Sequence, residues 1–117
     1  MKLNIFIVLA YLALSFTPVQ SNQSQFIQFK INTISSNDQA MLIDHKMRLK
    51  SGIQITRTDY LTSTFFCVLK PQMKYSKEDF TKWFNKLGYT ISCYNTGIHR
   101  KDKVISPYTL KKCQDEK

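Results

Sequence analysis

"EDFTKWFNKLGYTISCYNTG", residues 78–97, decides the fold. Phe80, Trp83, Phe84 and Leu87 stand at i, i+3, i+4 and i+7, which puts four large apolar side chains on one helical face. Ser76, just upstream, is a good N-cap, and Gly88 is a natural helix stop. Beyond Gly88, Tyr89, Ile91 and Cys93 alternate with Thr90, Ser92 and Tyr94, the period of a strand. Asn95-Thr96-Gly97 reads as a turn. The stretch is therefore a helix followed by a strand. Trp83, mid-stripe between Phe80 and Leu87, is expected in the core near Phe29 and Leu69 rather than standing apart as a stacking platform.

Upstream, the same pattern occurs once already. "FIQFKINTIS" alternates, with Ile27, Phe29 and Ile31 on one side and Gln28, Lys30 and Asn32 on the other. "SNDQ" has the form of a capping box, Ser36 accepting from the backbone and Gln39 reaching back. A helix of about four turns should follow, with Ala40, Ile43 and Met47 as its inner stripe and Gly52 as its C-cap residue. "IQITRTD" is a second strand, "YLTS" a turn, and "TFFCVLK" a third strand ended by Pro71. The order β-α-β-β-α-β predicts an α+β, ferredoxin-like sandwich: a four-stranded antiparallel sheet with two helices on one face.

The ends of the chain read differently. Lys2 followed by the apolar run Ile5–Phe16 has signal-peptide form, and the run is shorter than the about 20 residues of a membrane span. Small residues at Val19–Ser21 place cleavage after Ser21, so residues 1–21 are expected to be a signal peptide. The alternative is an uncleaved N-terminal anchor. The expected mature protein, periplasmic or secreted, has 96 residues (117 less 21), enough for one core. Residues 22–98 form the domain and residues 99–117 a basic C-terminal tail with an apolar cluster at Val104, Ile105, Tyr108 and Leu110.

Seventeen basic residues less Lys2, against 8 acidic ones, leave a net charge of +8. After export, such a charge suits an unidentified protein or an anionic envelope component and not nucleic acid. It equally suits a plain solvated surface.

Three cysteines allow at most one intramolecular bridge. In the strand order 4-1-3-2 expected of this topology, Cys67 and Cys93 are two strand spacings apart, about 9.6 Å. That exceeds the roughly 7 Å that a disulfide spans. Cys93 with Cys113 is therefore the expected pair, with three free thiols as the alternative. Cys67 sits in an apolar strand interior and reads as a buried inert thiol, not a nucleophile served by His99.

The segment from about Phe26 to Cys93 resembles the heavy-metal-associated domain, the small copper-chaperone fold. The matching features are "SGI" at Ser51–Ile53 after the first helix, Asp59 at the end of the second strand, and "YSKEDFTKWFNKLGY" as second helix with its Gly-Tyr ending. The family captures soft metal with a Cys-x-x-Cys pair between the first strand and first helix. Here those positions fall at about Ser36 and Gln39. The resemblance thus implies a relative lacking the metal motif, and no cofactor. Acylphosphatases share the fold, but "TISSNDQ" has neither the Gly nor the Arg of their anion loop. No enzymatic activity is expected.

Two surfaces remain. Met41 and His45 are four apart on the first helix and share a face, a weak candidate site for Cu(I); an envelope metal-handling protein would use these or a cysteine as ligands. Met47 is turned to the core. On the sheet, if Phe65, Cys67 and Leu69 face the helices, then Phe66 and Val68 face away, and Phe26 and Tyr94 are grouped with them. This apolar patch is either an interaction surface or is covered by the tail.

Overall fold

The computed structural model describes residues 23–114; the expected signal peptide at residues 1–21 lies outside them. The elements are β1 (Gln25–Ile31), α1 (Asn37–Arg48), β2 (Ile53–Asp59), β3 (Thr64–Leu69), α2 (Lys77–Lys86), β4 (Ile91–Ile98) and a short α3 (Pro107–Lys111). The four strands form one antiparallel sheet in the order β2-β3-β1-β4. Both long helices cover the same face, because Ile43 and Met47 of α1 and Phe80 and Phe84 of α2 share one cluster with Ile27, Phe29, Phe65, Cys67 and Leu69. This is the ferredoxin-like sandwich.

Phe29 is the centre of that core. Its ring stacks on Phe65 at 5.0 Å, meets Phe84 edge-on at 4.9 Å and Phe80 at 5.8 Å. Each such pair adds about 1 kcal/mol beyond simple burial. Polar pairs tie α1 to the edge strand: Arg48 Nε donates to Thr56 Oγ1 at 3.0 Å, and Thr58 Oγ1 donates to Asp44 Oδ1 at 2.6 Å.

The helix ends follow local rules. Ser76 and Asp79 make a complete capping box on α2. At its other end, Tyr89 N–H bonds the carbonyl of Phe84 and Gly88 N–H that of Asn85, a Schellman motif with Gly88 at φ 95°. The start of α1 departs from its expected form. Ser36 accepts from Gln39 N–H, but the Gln39 side chain accepts from Ser35 N–H at 2.8 Å, one residue earlier than a capping box requires. Gly52 is not a helix cap either. The helix stops at Arg48 with Leu49 as C-cap, and Gly52, at φ 83°, lies in the turn into β2.

Trp83 also departs from expectation. It is half-buried at the rim of the core, edge-on to Tyr75 at 4.8 Å and Phe80 at 5.0 Å, with Lys50 Nζ 4.7 Å above its ring. The helix face is wider than the core beneath it, so Phe80 and Phe84 are fully buried and Trp83 is left at the edge.

Strand β4 carries the most consequential irregularity. Gln28 pairs with Asn95 and Lys30 with Ser92, so Phe29 alone faces two residues, Cys93 and Tyr94. This β-bulge places Cys93 at φ 53° and shifts the alternation of every residue after it. Tyr94 therefore turns to the helix side and stacks on Phe29 at 6.2 Å. Its expected place on the outer face, beside Phe26, Phe66 and Val68, is corrected by the bulge.

Candidate functional site

The loop between β1 and α1 is where the resembled family holds metal. Here Ser36 Oγ receives the Gln39 N–H and Gln39 Oε1 receives both the N–H and the hydroxyl of Ser35. Both side chains serve the helix start.

Met41 and His45 are exposed on the outer side of α1, and Met47 is buried, as its position in the stripe requires. Met41 Sδ accepts a weak hydrogen bond from Asn37 Nδ2 at 3.7 Å. Among the described residues, no group of three or more His, Cys, Asp and Glu side chains stands where it could hold a metal ion.

Cys67 is a free, fully buried thiol. Its cross-strand neighbours are Ile27 and Thr56, neither of which is a base. Burial pushes the thiol up to about 12, since a thiolate there would lose its hydration.

The outer face of the sheet is where the C-terminal segment matters. Cys93 and Cys113 form a disulfide with their Cα atoms 6.4 Å apart. The bulge makes this possible by aiming Cys93 away from the helices. Gln28 supplies a second fastening, pairing with the backbone of Ile105 as a strand neighbour would. Its Nε2 donates to the Ile105 carbonyl at 2.9 Å and its Oε1 accepts the Ile105 N–H at 2.9 Å. Asn95 Nδ2 donates to the same oxygen at 2.7 Å. Lys30 Nζ donates to the Cys113 carbonyl at 2.6 Å. Ser106 caps α3 by accepting from Thr109 N–H, and Leu110 is buried.

The outer face is therefore largely occupied by the chain itself. Phe26 and Val68, expected as parts of an interaction surface, are each only 1% exposed. The correction has a packing cause. Phe26 stacks on Phe66 at 6.1 Å and closes against Gly97, where a Cβ would meet both its ring and Asp102. Asp102 in turn accepts the Ile98 N–H at 2.7 Å. Of the four expected residues, Phe66 alone remains partly exposed on this face. Ile105, expected only as part of the tail's apolar cluster, belongs to this surface, as do Gln28 and Arg57, which the reading of the sequence did not assign to a site. Position in the strand gave their face but not their partners.

No family model and no curated protein matches this sequence. Among solved structures, the chain is similar to the solution structure of the N-terminal domain of a potential copper-translocating P-type ATPase from Bacillus subtilis in the Cu(I)-loaded state. The identity is 19%, the TM-score 0.51, and the match covers 58% of this chain and 84% of that one. Among the described residues, no helix is long and apolar enough to cross a membrane. The resemblance to the heavy-metal-associated domain thus holds at the level of the fold.

Proposed function

We propose that this chain is an exported, non-enzymatic binding module that uses a heavy-metal-associated-like fold without its metal site. The observation that carries the reading is the β1–α1 loop, where the side chains at the metal-ligand positions, Ser36 and Gln39, are engaged in starting a helix. A thiol kept protonated in the core supports the absence of catalysis. The basic surface, net +9 over the whole sequence, favours a protein partner or an anionic envelope component.

Calorimetric titration of the purified protein with Cu(I) and Zn(II) tests this. The expected result is no stoichiometric binding tighter than about micromolar, roughly 8 kcal/mol. Tighter binding overturns it.

A second reading is favoured by the likeness to a domain solved with Cu(I) and by the exposure of Met41 and His45 one turn apart. In that reading the protein handles metal in the envelope. Repeating the titration with Met41→Ala/His45→Ala separates the two. Lost affinity assigns a site to α1, and unchanged affinity removes that site and leaves only the thiols as ligands.

A further inference from the structure

The C-terminal segment does not close the whole outer face. Gln28 and Lys30 hold it over β1, and the disulfide holds it to β4. Toward β3 and β2 it leaves a cleft of about 130 Å³. Phe66 forms one wall, and Val104, Ile105, Pro107 and Leu110 form the other. Arg57 of β2 lines the cleft too. It pairs with Phe66 in the β2–β3 register and is exposed, which places it at the mouth. Among the described residues its guanidinium has no hydrogen-bond or ion-pair partner.

Size and charge together select a ligand class. An apolar cavity of about 150 Å³ takes up one benzene molecule, so this cleft matches a single compact ring or branched aliphatic group. The polar side chains Gln28 and Thr64 in its lining are already bonded, to Ile105 and Thr62 respectively. Among the described residues, Arg57 is the only charged group that lines it. One planar guanidinium at an apolar mouth matches one carboxylate by two parallel hydrogen bonds. A phosphate dianion calls for more positive charge than that. The geometry points to a binding site for a small monocarboxylic acid with an aromatic or branched aliphatic body, the body between Phe66 and Ile105 and the carboxylate on Arg57. This gives the binding-module reading a ligand class and rests on it only in taking the domain to be a binding protein.

Amide correlation spectra of the full protein, titrated with benzoate, test the site. The expected result is saturable shifts at Arg57, Phe66 and Val104–Leu110, with a midpoint near or below about 1 mM. Benzamide, neutral and of the same shape, should bind about tenfold more weakly. Arg57→Gln, at an exposed position, should keep the folded spectrum and weaken benzoate about tenfold while leaving benzamide unchanged. Val104→Trp should fill the cleft and remove both. Shifts that do not saturate by about 10 mM, roughly 3 kcal/mol of affinity, overturn the proposal. So do shifts scattered over the lysine-rich surface, equal binding of benzamide, or an Arg57→Gln protein that binds benzoate normally. Metal titration reads a different part of the molecule. Tight Cu(I) binding with benzoate binding intact removes the metal-free reading and leaves the cleft, whereas loss of benzoate binding alone removes the cleft and leaves the module.

Discussion

Cys67 shows how far burial alters the chemistry of one side chain. Its thiol moves from an ordinary 9.0 up to about 12 because β3 places it fully inside the helix-side core. The unfolded chain ionises this thiol near 9 and the folded protein only near 12. The stability it contributes is thus whole below pH 9 and is lost as pH rises from 9 toward 12. Across that window the loss is about 1.4 kcal/mol per pH unit. Tyr94 is likewise pushed up to about 12, first by burial and then by nearby negative charge, and acts in the same direction from pH 10 upward. Cys67→Ala should flatten the alkaline slope while costing about 1 kcal/mol at neutral pH. Urea unfolding of both proteins at pH 8 and pH 10 is the measurement. Equal slopes would mean that the thiol ionises freely in the folded state.

Among the elements, the second helix and the last strand depend on two glycines for different reasons. Gly88 ends α2 at φ 95° with nothing within 4 Å of a would-be Cβ, so Gly88→Ala meets backbone strain alone. It should cost about 1 kcal/mol. Gly97 has an ordinary φ but faces Phe26 Cε2 and Asp102 Cβ, each 2.8 Å from a would-be Cβ. Gly97→Ala must move a packed ring and the carboxylate that caps the Ile98 N–H, and should cost about 2–3 kcal/mol. Thermal melts of the two variants give the order. A larger loss in Gly88→Ala than in Gly97→Ala would place the strain at the helix end and not at the outer face. The bulge at Cys93 links these effects to topology, since it turns Cys93 toward the C-terminal segment and Tyr94 toward the core.

At the scale of the whole molecule, the disulfide joins residues 20 apart and fastens a C-terminal segment to a sheet that is otherwise complete. Closing a loop of this length contributes about 3 kcal/mol. Cys113→Ser should lose about that much and leave the two-helix core intact, because neither Cys93 nor Cys113 belongs to the helix-side cluster. Amide exchange at Ile105 and Leu110 should speed up, and exchange at Phe29 and Phe84 should not. Unchanged protection at Ile105 would show that Gln28 and Lys30 hold the segment by themselves.

Local physics explains what the sequence by itself determined. Strand alternation, the Phe80–Leu87 stripe, the Ser76 cap and the Gly88 stop each depend on residues within a few positions of one another, and each has a fixed period or geometry. The β-α-β-β-α-β order and the antiparallel sheet follow from them. Part of the candidate surface was legible for the same reason: alternation put Phe26, Phe66 and Val68 on one face. Whether that face is open was decided only by the tertiary structure. Burial sums over the whole fold, and the contact that closes it, Gln28 with Ile105, joins residues 77 apart. The phase of Tyr94 required a bulge, which arises from a mismatch between paired strands and leaves no periodic mark in either one. The rim position of Trp83 depended on where the core ends. Arg57 became a candidate ligand-binding residue only when the C-terminal segment brought Val104, Ile105 and Leu110 opposite Phe66, a juxtaposition of distant segments that no local pattern encodes.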